Sequence, residues 1–71
     1  MLEIFDTVTG STTGVTEGGT NVCLSNGTKG WIKGKFLRTG INVICSVLHI
    51  KEDGFPILLL DSAIYPEETA A

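Results

Sequence analysis

A chain of 71 residues with formal charge −3, two cysteines and one histidine is confined to one small domain. Such a chain buries roughly 60% of the surface it exposes when unfolded. Two distant cysteines exclude a disulfide framework, and with a single histidine they fall short of the about four ligands of a zinc site, so no metal or cofactor is expected. The opening MLEIFDTVTG lacks the basic region and apolar run of a secretion signal, and no segment approaches the ~20 apolar residues of a membrane span; the expectation is a cytoplasmic protein without membrane contact.

Nine glycines, frequent threonine and valine and no 3.6-residue apolar period predict an all-β chain of five strands. The first runs from about Leu2 to Thr13 and bends at Gly10. The second, Asn21 to Ser25, follows the turn Glu17-Gly18-Gly19. The third is Lys29 to Phe36. The fourth, Ile41 to Ile50, follows the turn Arg38-Thr39-Gly40. The fifth, Phe55 to Ser62, follows the turn Lys51-Glu52-Asp53-Gly54, with Pro56 near its start where a missing N–H is tolerated. Residues 1–65 make one barrel domain, and 66–71 a loose acidic tail. Five short, glycine-bearing strands suggest a small coiled barrel. High apolar content in so short a chain also predicts self-association or a protein partner.

Charge is segregated along the chain. Lys29, Lys33, Lys35, Arg38 and Lys51 are all five basic residues, and the stretch from 29 to 51 holds no acid; the eight acids lie outside it. Net charge therefore conceals a basic segment in an acidic frame. The segment also carries the sole tryptophan, Trp31. The hairpin register decides how these side chains are displayed. A two-residue Asn26-Gly27 loop pairs Leu24 with Lys29 and mixes apolar with basic side chains on one face. A three-residue Asn26-Gly27-Thr28 loop pairs Leu24 with Gly30, Val22 with Ile32 and Cys23 with Trp31. The second separates the faces better and is the expected register. It turns Val22, Leu24, Ile32 and Phe36 inward, with Gly30 and Gly34 inside where the wall curves. Lys29, Trp31, Lys33 and Lys35 then point outward together. An outward Trp31 among ammonium groups suits base stacking with phosphate contacts. It suits a protein contact too, and packing as core under the first strand is the third alternative.

In order, Val8-Thr9-Gly10, Gly19-Thr20-Asn21-Val22-Cys23-Leu24, Gly30-Trp31-Ile32, Gly40-Ile41-Asn42-Val43-Ile44-Cys45-Ser46-Val47 and the run Ile57 to Ser62 resemble the S-one domain. This is the OB-fold repeat named after the largest small-subunit ribosomal protein. The likeness covers about residues 5 to 63. It implies a five-stranded barrel that binds single-stranded RNA across strands two and three, with Trp31 on that face. The chain departs from the pattern in two places. Asn21 and Cys23 stand where the family places aromatics, and the link that often holds a short helix shrinks to about Lys35–Gly40.

Catalytic chemistry finds little footing. His49 shares parity with Val43, Cys45 and Val47 and is expected to cap the inner row near the barrel mouth. No serine or cysteine can be placed beside it with an orienting acid. Gly30-Trp31-Ile32-Lys33-Gly34-Lys35 lacks the spacing and the following Ser/Thr of a phosphate loop. Cys23 and Cys45 read as two buried free thiols, with a bridge left open. The reading is therefore a non-enzymatic OB-type barrel that binds RNA or another single strand through Lys29, Trp31, Lys33, Lys35 and Arg38, with Asn21 reading a base edge. The alternative is a structural or adaptor barrel whose outer face meets a protein or a second copy.

Overall fold

A computed structural model describes residues 3–65. It comprises β1 (Thr7–Thr16), β2 (Gly19–Leu24), β3 (Lys29–Lys33), β4 (Asn42–Ile50) and β5 (Pro56–Ile64), with no helix among the described residues. The strands close into a barrel in the order β1-β2-β3-β5-β4. All neighbours are antiparallel except β3 and β5, which run parallel through Trp31↔Ile57 and Ile32↔Leu58. This is the expected all-β, five-stranded OB-type barrel. The expected tail, residues 66–71, lies outside the described residues.

β1 begins later than expected because residues 3–6 form a turn, with the Asp6 N–H on the Glu3 carbonyl at 3.1 Å and the Glu3 N–H on Asp6 Oδ2 at 2.8 Å. The break in its ladder falls between Thr12 and Gly14, not at Gly10. One extra residue there raises the local twist and lets the strand curve from one neighbour to the other. Gly10 is needed for a different reason. It pairs with both Leu24 and Val43, and a Cβ on it would lie 2.5 Å from the Cys23 carbonyl oxygen.

The β2–β3 loop has three residues, as expected, but they are Ser25-Asn26-Gly27. The Leu24 N–H donates to the Thr28 carbonyl at 2.7 Å and the Gly27 N–H to the Leu24 carbonyl at 2.9 Å. Gly27 sits at φ 87°, and Asn26 Oδ1 accepts the Thr28 N–H at 2.8 Å. A turn closed by a left-handed glycine is a common three-residue hairpin. The pairing is therefore Asn21↔Trp31, Val22↔Gly30 and Cys23↔Lys29, two residues away from the expected register. A slip of two keeps every side chain on its face, so Val22, Leu24 and Ile32 are buried as expected.

The third strand ends at Lys33, short of Phe36. Gly34 turns the chain at φ 77° and is exposed, and Phe36 is 61% exposed. The inward placement expected for both is corrected. Leu37 enters the core instead, beside Ile41, Val43, Cys45, Val47 and Leu58. The helix-free link is fastened by two buried threonines. Thr20 Oγ1 donates to the Lys35 carbonyl at 2.6 Å and accepts the Leu37 N–H at 3.0 Å. Thr12 Oγ1 donates to the Arg38 carbonyl and accepts the Ile41 N–H at 2.9 Å. Each hydroxyl thus donates to a part-buried carbonyl and accepts from a backbone N–H that would otherwise be buried unpaired.

β4 buries Val43, Cys45 and Val47 in alternation, and its register against β5 shifts between Ile44 and Cys45 and again between Val47 and His49. The second shift turns His49 to the exposed side. The inner position expected from parity is corrected.

Candidate nucleic-acid interface

The outer faces of β2 and β3 and the start of the β4–β5 hairpin enclose a groove of about 640 Å³. Asn21, Trp31 and Lys33 line one side; Leu48, His49, Lys51, Phe55 and Ile57 line the other. The parallel β3–β5 pair makes the two sides meet, since it sets Trp31 opposite Ile57. No carboxylate is among the lining residues, so Lys33 and Lys51 impose a positive field on a partly apolar wall. The hairpin tip beyond carries Glu52 and Asp53, and Asp53 Oδ1 caps the Phe55 N–H at 3.0 Å.

Trp31 is half-buried rather than bare. Its indole N–H donates to Thr16 Oγ1 at 2.7 Å. The ring lies against the β1–β2 turn, where a Cβ on Gly19 would come within 2.6 Å of Trp31 Cε2 and one on Gly18 within 3.5 Å of Cζ2. Trp31 also lines the groove. The bond and the turn set its position before any ligand arrives, which lowers the ordering cost of stacking. Across the groove, Lys51 Nζ stands 5.8 Å from the centroid of the Phe55 ring, a cation–π contact that holds both side chains.

The expected site residues divide into two groups. Asn21, Trp31 and Lys33 share the groove, and Lys29 lines an adjoining depression of about 280 Å³ that shares Asn21 and Phe55 with it. Lys35 and Arg38 do not join them. Both are exposed in the link, where their carbonyls hold Thr20 and Thr12. The predicted outward row thus ends at Lys33, because Gly34 redirects the chain. The site residues not anticipated are His49, Lys51 and Phe55. Lys51 and His49 belong to the acid-free segment, but nothing in local spacing shows that a hairpin twenty residues downstream folds back onto Trp31.

A second cleft, of about 430 Å³, lies across Thr9, Ser11, Cys23 and Asn42. Its polar groups satisfy one another, Thr9 Oγ1 with Ser25 Oγ at 2.7 Å and the Ser11 hydroxyl with Asn42 Oδ1 at 2.9 Å. It carries no charge, and the basic groove is the better candidate.

Cys23 and Cys45 are both free thiols. Cys23 is exposed, correcting the expectation that both are buried, because it faces outward opposite Lys29. Burial, and to a lesser extent the charge of Asp61, pushes the Cys45 thiol up to about 11. One thiol is therefore expected to react with an alkylating reagent in the native protein and both after unfolding. The raised value also favours the neutral thiol in the fold. Its contribution is complete below pH 9.0 and is lost as pH rises toward about 11. Mass spectrometry of the labelled protein checks the first point; a reactive Cys45 in the folded chain would contradict the burial.

No group of three or more His, Cys, Asp or Glu side chains able to hold a metal ion occurs among the described residues. Comparison of the chain with protein-family models, curated proteins and solved structures finds no match.

Proposed function

We propose that this barrel binds single-stranded nucleic acid, RNA foremost, in the groove between Trp31 and Phe55, and that it acts by binding rather than by catalysis. The observation that carries the reading is one groove holding two aromatic rings, two lysines and no carboxylate, on the β2–β3 face and hairpin that OB-type barrels use for oligonucleotides. In this reading a base stacks on Trp31, while Lys29, Lys33 and Lys51 neutralise phosphates and the Asn21 amide meets a base edge. About three phosphates neutralised gives a log–log salt slope near −2 on a single strand.

The test is a titration of Trp31 fluorescence with short single-stranded RNA at two salt concentrations. Saturable quenching that weakens with salt is the expected result. Lys33→Ala is expected to reduce the salt slope by about 1. Trp31→Phe, followed by the anisotropy of labelled RNA, is expected to weaken binding with the slope unchanged. No salt-dependent change at about 100 µM RNA, above the range of ordinary non-specific affinity, would overturn the reading.

A further inference from the structure

Phe5 is 81% exposed and occupies φ 71°, the single positive φ at a non-glycine residue among those described. It is the third residue of the turn Glu3–Asp6, a position where a positive φ calls for glycine. Phe5 and Asp6 also form a bulge opposite Val47. The Phe5 N–H donates to the Val47 carbonyl at 2.7 Å, and the Asp6 carbonyl accepts the Val47 N–H at 2.9 Å. In this class of bulge the first residue is ordinarily a left-handed glycine. An aromatic residue here strains the backbone and gains little burial in return. Backbone strain of this kind clusters at functional sites.

The neighbouring Ile4 is half exposed, and the tip Ile4–Phe5 is bracketed by Glu3 and Asp6. Flanking carboxylates oppose phosphate, so the tip is a poor platform for nucleic acid. They complement the groove lined by Lys33, His49 and Lys51, whose Trp31 and Phe55 offer an apolar floor. Tip and groove adjoin, because Phe5 is bonded to Val47 and the groove begins at Leu48. A twofold axis near Val47–Leu48 would let each of two chains place its tip in the other's groove, a closed and self-complementary contact.

We propose that the Ile4–Phe5 turn of one copy docks in the Trp31–Phe55 groove of a second copy, so that dimer formation covers the surface assigned to nucleic acid. The dimer uses that groove but stands whether or not nucleic acid is its ligand; only the competition between the two rests on that reading.

Sedimentation velocity over a range of protein concentrations, at low and high salt, tests it with Phe5→Gly as the diagnostic variant. Glycine relieves the strained φ, so at concentrations where both are monomeric the variant should fold at least as well as the unmodified chain. Its dimer dissociation constant should nonetheless rise about tenfold or more. Lys51→Glu should weaken the dimer as well, and salt should weaken it in the unmodified chain. A monomer at all concentrations, or a dimer indifferent to Phe5→Gly, overturns the proposal. So does a Phe5→Gly variant that loses RNA affinity while the unmodified chain stays monomeric, which would make the tip part of a nucleic-acid site. If RNA binds, adding it should dissociate the dimer, and a ternary complex retaining the dimer would also overturn it.

Discussion

Thr20→Val is expected to lower stability by about 2–4 kcal/mol, because it strands a buried backbone N–H and a part-buried carbonyl at once. Valine has nearly the shape of threonine, so no cavity opens. The loss comes from the Lys35 carbonyl and the Leu37 N–H, which share the Thr20 hydroxyl at 2.6 and 3.0 Å. A chain of this length has roughly 4–10 kcal/mol in all, so one hydroxyl decides a large fraction of it. Thr12 holds the other end of the link in the same way, and the double valine variant is expected not to fold. Thr20→Ser keeps both bonds and should lose only the methyl group, about 1 kcal/mol. Urea unfolding curves separate these outcomes. A Thr20→Val midpoint equal to that of Thr20→Ser would show that the link is held by Leu37 burial and not by the hydroxyl.

Gly19→Ala is the second substitution expected to have a large effect, and it joins the fold to the groove. A Cβ at this position would lie 2.1 Å from the Ile32 carbonyl oxygen and 2.6 Å from Trp31 Cε2. The carbonyl belongs to the β2–β3 ladder, where Thr20 pairs with Ile32. It cannot retreat without opening the barrel wall. The expected cost is about 3 kcal/mol, or a fall in Tm of roughly 12–24 °C. Whatever protein remains folded should show a displaced Trp31, with altered emission and a broken indole bond to Thr16. Gly14→Ala is the control. Nothing lies within 4 Å of its Cβ position, and its φ is not positive. Although it borders the bulge, it should change Tm by no more than a few degrees, since the added methyl group meets no atom and the backbone needs no left-handed conformation. Equal stability of the two variants would mean that the strands yield at Gly19 far more readily than their packing implies.

Both predictions concern contacts distant in sequence, and that is where legibility ended. The alternation in Val22, Leu24 and Ile32 identified the inner face of β2 and β3 even though the proposed pairing was wrong by two residues, because period two makes such a slip invisible to side-chain direction. The same alternation failed at His49, where an irregularity in the ladder after Val47 reverses the face. It failed again at Phe36, where the strand had already ended at Gly34. Neither event has a signature in apolar spacing. Glycine at 34 marked both a curved strand and its end, and only the position of the Gly18 carbonyl, which accepts the Gly34 N–H at 2.8 Å, decides between them.

What the sequence determined by itself is therefore local and compositional. It established an all-β chain of five strands and a basic stretch from Lys29 to Lys51 within an acidic frame, since each follows from residue type and a two-residue repeat, and it left the placement of Trp31 to the hairpin register. The tertiary structure alone decided which of those charges act together. The parallel pairing of β3 with β5 carries Lys51, His49 and Phe55 to Trp31, and the turn at Gly34 takes Lys35 and Arg38 away. Closure of a barrel is a property of all five strands at once, and its hydrogen bonds join residues whose separation no short window can register.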